Sequence, residues 1–395
     1  MALSRIPLIM KEPLTMHDRK PRICIVAHNA YGALAGVDTG QTGGGIERQT
    51  SLMARWFASK GYEVNMITWD EGQPDGLMID GVRLFKMCRK NAGIKGLRFL
   101  WPKWSSLSRA MREANADIYY YNCGDLGLGQ IVMWCRMHGR KCVFSVASDP
   151  ICDPELPVLK PLRERVLYRY GLRHAHSTIV QTRRQQQMLR EGFGIESTVI
   201  PMPCEELAAS EHIHSETSCA ESSHALWVGR ISKEKQLEWL LAVAERCPEI
   251  TFDVVGASNT NSSYASALVK RSSGISNVNM HGRVLHGEIA SYYRRSRVLC
   301  CTSAYEGFPN TFLEAWSCGI PVVSTFDPDG IIAKYNLGWT ASSIDEFVSA
   351  LQESMNETKK WQLASESARD YYLKNHTLDS CMKQFAQIMK DVDGL

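Results

Sequence analysis

The chain has 395 residues, of which 44% are hydrophobic and 22% are charged. This composition is typical of a globular protein with two domains of about 150–200 residues each. The net charge is +3 at pH 7, and no apolar run approaches the roughly 18 residues of a transmembrane helix. An apolar run at residues 6–10 is soon interrupted by charge, which argues against a secretory signal, and residues 1–20 are predicted to form a loose tail.

The charge is divided unevenly along the chain. Residues 1–200 contain 28 basic and 18 acidic side chains, a net +10, whereas residues 201–395 contain 17 and 24, a net −7. A chance difference between two domains explains this uneven charge as well as a functional cause does. The functional alternative is that the N-terminal half faces an anionic partner such as a membrane surface or nucleic acid.

The thirteen cysteines are scattered along the chain and include no C-x-x-C pair. This pattern predicts reduced core side chains in a cytoplasmic protein, and it argues against disulfide bonds and against a zinc site.

From Arg22 onward, short β-rich runs alternate with segments of helical period. The predicted strands of the first half are Ile23–Ala27, Glu63–Thr68, Val82–Phe85, Asp117–Tyr121, Lys141–Val146 and Ser177–Gln181. The predicted helices between them are Ile46–Ser59, Ser105–Ala114, Leu126–His138 and Leu162–Arg173. This alternation is typical of a doubly wound, parallel α/β sheet.

A glycine-rich run from Gly40 to Gly45 follows the first predicted strand and leads into a helix. Gly44 and Gly45 would let a phosphate or a sugar approach the backbone closely. The run is neither a G-x-G-x-x-G nor a Walker sequence. Taken alone, such a loop is more often a flexible connection than a binding site.

The segment Lys90–Arg112 contains six basic side chains, two tryptophans and no acid. Basic residues beside Trp101 and Trp104 suit an interfacial segment on anionic lipid. The structural alternative is a solvated basic face with the tryptophans packed inward. Binding of RNA ranks lower, because no RNA-recognition module accompanies the segment.

Residues 205–223 are polar and lose the hydrophobic periodicity, which predicts an interdomain linker. His212 and His214 lie here with glutamates nearby. A solvated linker explains them more simply than a metal site does.

The second half opens with a predicted strand, Ala225–Val228, followed by Gly229 and Arg230 and by a helix predicted from about Glu234. Arg230 and Lys235 would stand where a diphosphate can be held, since arginine offers a bidentate fork and lysine a point charge. Ordinary surface cations are the default alternative. Later, Asp327–Asp329 reads as an ordinary Pro/Gly turn, and the predicted C-terminal helices are Ile344–Ser354, Thr358–Tyr372 and Leu378–Val392.

The most informative stretch joins a predicted strand, Val298–Thr302, through a Gly-Phe-Pro-Asn turn to a predicted helix, Thr311–Cys318. Backbone N–H groups and the positive end of a helix dipole favour an anion at such a turn. Glu306 precedes the turn and Glu314 lies one helical turn in. A carboxylate there can accept hydrogen bonds from the hydroxyls of a ribose or a sugar ring.

The frame EGFPNTFLEAWSCGIPVV, with seven residues between Glu306 and Glu314, resembles the E-x7-E signature of retaining family 4 glycosyltransferases of the GT-B fold. Arg230 and Lys235 are similarly placed to the cations of that family's Gly-Arg-x4-Lys donor motif. The resemblance runs from about Ile23 to about Asp391. It implies an α/β protein of two Rossmann-like, doubly wound domains that face each other across a cleft.

The resemblance also implies a site without a metal or other cofactor, in which a nucleoside-diphosphate sugar is a co-substrate. Its catalytic residues would be Glu306, Arg230 and Lys235, and Glu314 would bind the ribose hydroxyls. The remaining donor-binding residues would be Gly307, Phe308, Pro309, Asn310, Thr311, Gly44, Gly45, Gly229, Arg283 and Val284. The family often carries His-Asp where this chain has Ser148 and Asp149, so these two residues are candidate sugar contacts in which no imidazole can act.

The chain is therefore expected to divide into the tail 1–20, an N-terminal domain 21–204, the linker 205–223 and a C-terminal domain 224–374, and the resemblance implies that the first domain is on the acceptor side and the second binds the nucleotide sugar. The segment 375–395 is expected to form a helix that crosses back to the first domain.

The expected activity is retaining, metal-independent hexosyl transfer to the hydroxyl of a saccharide or lipid-linked saccharide in cell-envelope or exopolysaccharide synthesis. The expected location is cytoplasmic, peripheral on the inner face of the cytoplasmic membrane, with no nucleic-acid partner. The alternatives are a sugar-nucleotide epimerase or a phosphorylase on a related fold, and a non-catalytic nucleotide-sugar binding protein. The sequence does not distinguish UDP, GDP and ADP donors.

Overall fold

The computed structural model describes residues 20–37, 44–207, 222–257, 262–284 and 286–394. The predicted tail up to residue 19, the first part of the glycine-rich run, and the linker residues His212 and His214 lie outside these ranges. The described residues form two α/β domains, each built around one largely parallel sheet.

The sheet of the first domain has eight strands within the described residues. They are β1 (Ile23–Val26), β2 (Val64–Thr68), β3 (Met78–Ile79), β4 (Val82–Lys86), β5 (Ile118–Tyr121), β6 (Lys141–Ser145), β7 (Ser177–Val180) and β8 (Thr198–Val199). Their order is β3-β4-β2-β1-β5-β6-β7-β8, and every pairing is parallel except the β3–β4 hairpin. All residues of β1 and β2 are buried, as expected for parallel strands covered on both faces.

The helices of the first domain are α1 (Tyr31–Ala35), α2 (Gly45–Ser59), α3 (Ser105–Ala114), α4 (Gly127–Met137), α5 (Leu162–His174) and α6 (Arg183–Phe193). The strands and helices predicted for this half are present, with ends that shift by one residue at most. Helix α6 was not predicted. The sequence signal for this helix is Thr182 at the N-cap position. Its hydroxyl accepts a hydrogen bond from the Gln185 N–H at 3.1 Å.

The second domain has a six-stranded parallel sheet within the described residues. Its strands are β9 (His224–Val228), β10 (Thr251–Val255), β11 (Val278–Gly282), β12 (Val298–Cys301), β13 (Val322–Ser324) and β14 (Gly338–Thr340), in the order β11-β10-β9-β12-β13-β14. Its helices are α7 (Leu237–Ala244), α8 (Ser263–Ser272), α9 (His286–Arg295), α10 (Asn310–Ser317), α11 (Ile331–Tyr335), α12 (Ile344–Asn356), α13 (Thr358–Asn375) and α14 (Leu378–Asp393).

The helix predicted from about Glu234 is present, but its predicted start is wrong. Lys233–Lys235 form a 3₁₀ turn, and the next residue, Gln236, has a left-handed backbone with φ +45°. A right-handed helix cannot continue through that conformation, so α7 begins only at Leu237. The Lys235 carbonyl instead accepts a hydrogen bond from the Thr302 hydroxyl at 2.7 Å, which holds the turn over the end of β12.

In both sheets the strand order reverses at the first strand of the domain. β1 lies between β2 and β5, and β9 lies between β10 and β12. Ligands of such sheets bind in the crevice at the carboxyl ends of the strands beside this switch point. The two carboxyl edges face each other here, since the Asp149 N–H lies 3.4 Å from the Glu306 carbonyl oxygen.

The turn predicted at Asp327–Asp329 contacts the first domain. In the structure it forms a 3₁₀ turn at Pro328–Gly330. The Asp329 carboxylate also accepts hydrogen bonds from the backbone N–H groups of Arg183 at 2.7 Å and Arg184 at 2.9 Å. These are the first N–H groups of α6, where negative charge is stabilised by the helix dipole.

Helix α14 belongs to the C-terminal segment but packs on the first domain. The Trp56 indole N–H donates to Asp379 at 2.6 Å, and the rings of Tyr120 and Phe385 meet edge to face, 6.3 Å apart. Beside it, Cys204 and Thr377 form an isolated parallel bridge. The chain therefore passes between the domains at two adjacent places.

Three further properties concern only the described ranges. The cysteines there are all free and most are buried. No helix there is both long and apolar enough to cross a membrane. No group of three or more His, Cys, Asp or Glu side chains there is arranged to hold a metal ion.

Candidate active site

The loop between β12 and α10 holds the first carboxylate of the E-x7-E frame. Helix α10 starts at Asn310, one residue before the predicted start, and Pro309 precedes it. Phe312, Leu313 and Trp316 are fully buried. Because three large apolar side chains hold α10 in the core, its first turn is fixed at the carboxyl edge of the second sheet.

Lys235 and Glu306 form an ion pair. The Ser303 hydroxyl donates to the same Glu306 oxygen at 2.6 Å, and the two paired side chains are only 23% and 16% exposed. Burial lowers the pKa of Lys235, but the negative charge of Glu306 more than offsets this effect and the net shift is upward. The structure thus brings together one predicted cation and one predicted carboxylate.

Arg230 lies at the rim of the same region. Its side chain is 50% exposed, and its Nη2 lies 3.5 Å from the Glu234 carboxylate. Burial raises the pKa of the Tyr305 hydroxyl, Glu234 and Glu306 raise it further, and the charge of Arg230 opposes them. Arg230 therefore shares the electrostatic environment of Glu306, while its own ion pair is with Glu234.

The first domain contacts the turn at Gly307 and Phe308. The Phe308 N–H donates to Gln181 Oε1 at 2.7 Å, and Gln181 Nε2 donates to the Val146 carbonyl at 3.0 Å. A Cβ atom on Gly307 would collide with the Ala147 carbonyl oxygen. In this closed arrangement, glycine at 307 is required by the close approach of the other domain's backbone.

Ser148 and Asp149 lie at the carboxyl end of β6, opposite Glu306. Ser148 is half-buried, and the buried Asp149 carboxylate accepts from Gln185 Nε2 at 3.0 Å and pairs with Arg184 Nε at 3.2 Å. Burial raises the pKa of Asp149, and these two partners oppose the rise. The structure therefore turns the Asp149 side chain toward α6, and only its backbone N–H approaches Glu306.

The second carboxylate of the frame, Glu314, is 3% exposed. Its Oε2 accepts a hydrogen bond from the Tyr293 hydroxyl of α9 at 2.6 Å. Its Oε1 lies 2.7 Å from Nη2 of Arg48, which belongs to α2 of the first domain. Burial lowers the pKa of Arg48, but the charge of Glu314 more than offsets this, so the pKa is raised.

The end of the glycine-rich run meets the start of α10. The Gly44 N–H donates to Glu47 Oε2 at 2.7 Å, which caps α2, and a Cβ on Gly45 would lie 2.5 Å from Asn310 Nδ2. A cavity of about 80 Å³ lies beside this contact, with Arg48 and Glu314 among its lining residues. The structure therefore brings two predicted donor segments, one from each domain, against each other.

The remaining predicted residues lie at the same edge of the second sheet. The Gly229 N–H donates to the Val255 carbonyl at 3.1 Å. Arg283 and Val284 follow β11 directly, Arg283 exposed and Val284 half-buried. In the turn and first turn of α10, Pro309 is buried and Thr311 half-buried. Gly229 thus lies at the switch point, Arg283 and Val284 at the end of the edge strand β11, and Pro309 and Thr311 at the start of α10.

Four contributors were missed by the sequence analysis: Arg48, Tyr293, Gln181 and Ser303. Ser303 stands three residues before Glu306, so its spacing was a usable signal. Arg48, Tyr293 and Gln181 lie far from the glutamates in sequence, and each looks like an ordinary helix or strand-end residue in a single chain.

Two family models match the chain, one on each domain. The model described as "Glycosyl transferase 4-like domain" matches residues 44–204. The model described as "Glycosyl transferases group 1" matches residues 222–357.

Curated relatives match over a shorter region. The GtfA subunit of the UDP-N-acetylglucosamine–peptide N-acetylglucosaminyltransferase of Streptococcus pneumoniae is 26% identical over 160 residues, which is 38% of this chain and 30% of that protein. The same subunit of Streptococcus agalactiae is 27% identical over 159 residues, which is 39% and 30%. The match therefore spans less than a third of these relatives.

Solved structures share the fold, two of them over nearly the whole chain. Sucrose-phosphate synthase of Thermosynechococcus elongatus superposes with a TM-score of 0.78 at 18% identity, covering 95% of this chain and 99% of that one. Anabaena HepE in complex with UDP and glucose gives 0.74 at 17% identity, covering 94% and 99%. The pneumococcal O-GlcNAc transferase GtfA with UDP and GlcNAc gives 0.56 at 15% identity, covering 73% and 60%.

Proposed function

Because the chain belongs to the family 4-like glycosyltransferases of the GT-B fold, we propose that it transfers a sugar from a nucleoside-diphosphate sugar to a hydroxyl of a lipid-linked saccharide, with retention of configuration. The observation that carries this proposal is the ion pair of Lys235 and Glu306 at the carboxyl edge of the second sheet. It lies next to the first turn of α10 and opposite the loop after β6.

The proposed reaction breaks the bond between the sugar C1 and the diphosphate oxygen. Negative charge then grows on the diphosphate and positive charge on the sugar ring. Lys235, Arg230 and the N–H groups at the start of α10 would stabilise the diphosphate. Glu306 would accept hydrogen bonds from sugar hydroxyls and stabilise the ring cation. The acceptor oxygen bonds to C1 on the face that the diphosphate leaves, and its proton passes to the departing phosphate oxygen.

The proposed reaction needs no metal, because fixed cations would supply the charge stabilisation. Removing one such preorganised group typically costs about 2.7–4 kcal/mol of barrier. We therefore expect turnover to be unchanged by EDTA. A loss of activity that Mg²⁺ or Mn²⁺ restores would contradict this part of the proposal.

The donor is proposed to carry uridine, since the solved Anabaena and pneumococcal proteins are complexes with UDP. The experiment incubates the full chain with UDP-, GDP- and ADP-sugars and measures release of nucleoside diphosphate, with and without a bacterial lipid extract. Release that depends on the extract supports transfer to a lipid-linked acceptor. Saturable binding with no release under any condition would favour a non-catalytic nucleotide-sugar binding protein.

The acceptor class is proposed from a surface that we call the apolar–basic patch, residues 94–101 of the first domain. Its apolar side chains are exposed: Ile94 (71%), Leu97 (64%), Leu100 (56%) and Trp101 (70%). Large exposed apolar side chains in one short segment indicate an interaction site. The same segment carries Lys95 and Arg98, which complement an anionic surface.

The apolar–basic patch extends onto the neighbouring helix α5. The Arg163 guanidinium lies over the Phe99 ring at 5.2 Å, and Leu162 and Val166 beside it are 76% and 57% exposed. Phe99 and Trp104 pack together, with ring centroids 5.6 Å apart, so the inward-packing alternative fits Trp104 but not Trp101. We propose that the patch binds the anionic inner face of the cytoplasmic membrane, where a lipid-linked acceptor is held.

This proposal is tested by co-sedimentation with phosphatidylserine-containing vesicles and with pure phosphatidylcholine vesicles at low salt. The double variant Leu100→Ser, Trp101→Ser should lose sedimentation with the anionic vesicles. Leu363→Ser, which removes a similarly exposed leucine from α13 of the second domain, is the matched control. The proposal fails if the wild-type chain does not sediment with the anionic vesicles.

A further inference from the structure

Arg48 reaches from one domain to the second glutamate of the other. It lies in the first turn of α2, and its Nη2 is 2.7 Å from Glu314 Oε1 in α10. The Arg48 side chain is 35% exposed and that of Glu314 only 3%. The pair therefore holds a largely buried carboxylate that lines the cavity of about 80 Å³ beside the start of α10.

The other oxygen of Glu314 is held from within its own domain. The Tyr293 hydroxyl donates to Oε2 at 2.6 Å. Tyr293 is fully buried, and burial, together with the charge of Glu314, raises the pKa of its hydroxyl well above the ordinary value. Tyr293 thus stays a neutral hydrogen-bond donor, and Arg48 is the cation of the cluster.

The two partners leave free acceptor capacity on the carboxylate. Each carboxylate oxygen offers about two lone-pair sites. Tyr293 fills one site on Oε2 and Arg48 one site on Oε1. Counted over the described residues, one site on each oxygen remains, which matches the two hydroxyl donors of a vicinal diol such as the 2′ and 3′ hydroxyls of a ribose.

We propose that Arg48 is a positioning residue for ribose recognition. It fixes the Glu314 carboxylate in the orientation that accepts both ribose hydroxyls, and it does so only while the two domains are together. Recognition of the nucleotide in one domain is thereby coupled to closure of the other. This inference rests on the proposed function, together with the expectation from the family resemblance that Glu314 binds the ribose of the donor.

Close packing around the pair supports this role. The approach of Gly45 to Asn310 shows that the first turns of α2 and α10 lie against each other. Removing one partner of a buried ion pair leaves the other charge uncompensated. Without Arg48, Glu314 would keep one fixed partner and lose the constraint on Oε1.

Arg55 provides a matched control on the same helix. It lies two turns after Arg48 and lines the same cavity of about 80 Å³. Its partners belong to the first domain: Nε donates to Asp80 at 2.8 Å and Nη2 to the Leu34 carbonyl at 2.7 Å. Arg55→Met therefore removes a guanidinium from α2 without touching Glu314.

The test measures binding of UDP, GDP and ADP and of their 2′-deoxy forms to the full-length chain by calorimetry. For the nucleotide that binds wild type most tightly, the ribose form should bind roughly 10–100-fold more tightly than the deoxy form, as expected for a hydrogen bond to a charged group. Arg48→Met and Glu314→Gln should each lose most of this ratio. Arg55→Met should keep it.

A general loss of folding would weaken both nucleotides alike, so the ribose-to-deoxy ratio separates positioning from stability. Arg48→Lys and Arg48→Gln serve as second variants if Arg48→Met does not fold, and Lys should preserve more of the ratio than Gln. The inference is overturned if Arg48 variants discriminate as wild type does. If none of the three nucleoside diphosphates binds wild type, the proposed function itself fails.

Discussion

The two glutamates of the E-x7-E frame are held in different ways. Glu306 pairs with Lys235, which belongs to the same domain. Glu314 pairs with Arg48, which belongs to the other domain. The comparison teaches that one carboxylate is organised by the fold of a single domain, whereas the other is completed only when the two domains meet.

The largest loss of activity is expected when the Lys235–Glu306 pair, which lies within one domain, is broken. Lys235→Met should lower kcat by roughly 10²–10³, because it removes a preorganised cation from the departing diphosphate. Release of nucleoside diphosphate under saturating donor measures this. Lys233→Met, an exposed lysine in the same 3₁₀ turn, should leave kcat unchanged. Equal kcat values for the Lys235 variant and wild type would remove Lys235 from the mechanism.

The next effect concerns the contact between the domains at the glycine turn. Gly307→Ala puts a Cβ against the Ala147 carbonyl, which is backbone and cannot yield easily. Displacing the turn by about 1 Å is expected to cost roughly 10²-fold in kcat/KM. Gly45→Ala is the matched substitution, since its Cβ meets only the end of the Asn310 side chain, and it should cost much less. Similar losses in both variants would show that the backbone contact is not decisive.

The loss of stability should rank the two ion pairs in the opposite order to the loss of activity. Arg48→Met leaves Glu314 buried without its cation and should cost about 2 kcal/mol, a value below the range for fully buried pairs because Arg48 is partly exposed. The midpoint of thermal unfolding should fall by several degrees, and by more than in Lys235→Met. Adding Glu314→Gln to Arg48→Met should recover part of the loss. A double variant that is no more stable than Arg48→Met would argue against the pair.

The smallest effect is a dependence on pH at the junction of the domains. His376 is buried, its Nδ1 lies 2.9 Å from the Met202 carbonyl, and burial lowers its pKa to about 4. The pKa of histidine in an unfolded chain is about 6.5. Between about pH 4 and about pH 6.5 the unfolded state therefore binds more protons than the folded state. The stability contributed by neutral His376 is thus present above about pH 6.5 and is lost as the pH falls toward about 4.

Urea unfolding at pH 7 and pH 5 measures this loss. His376→Asn keeps a donor near the position of Nδ1 for the Met202 carbonyl but does not titrate, so its stability should fall less on acidification than that of wild type. The difference between the two glutamates is sharpened if acid loosens this junction and so separates Arg48 from Glu314. The preference for ribose would then be lost at a higher pH than the pH at which the second domain unfolds. Equal pH slopes for both proteins would rule out His376 as the cause.

The fold was largely predictable because the central strands of both sheets are buried on their two faces. Continuous apolar runs such as Ile23–Val26 then mark the strands by themselves. The E-x7-E frame was equally readable, since its strand, turn and helix are consecutive in sequence. The start of α7 was mispredicted because Gln236, an ordinary helix former, adopts a left-handed conformation here.

The cross-domain half of the site was not predictable from the residues alone. Arg48 and Glu314 lie in different domains, and no local pattern links an arginine in one amphipathic helix to a glutamate in another. The glycine at 307 illustrates the same limit. From the sequence, Gly307 belongs to a turn that favours an anion and is a donor-binding residue by resemblance; the structure adds that the backbone of the first domain also requires a glycine there. Contacts between domains depend on how two completed folds dock, which a local pattern does not encode.

The position of α14 has a consequence for biosynthesis. Met382, Phe385 and Met389 of this last helix are fully buried in a core shared with Ile25 and Tyr120 of the first sheet. A nascent chain that has left the ribosome only as far as the second sheet still exposes that face to water. The domain that is translated first is therefore completed last, and until then it offers chaperones an uncovered apolar surface.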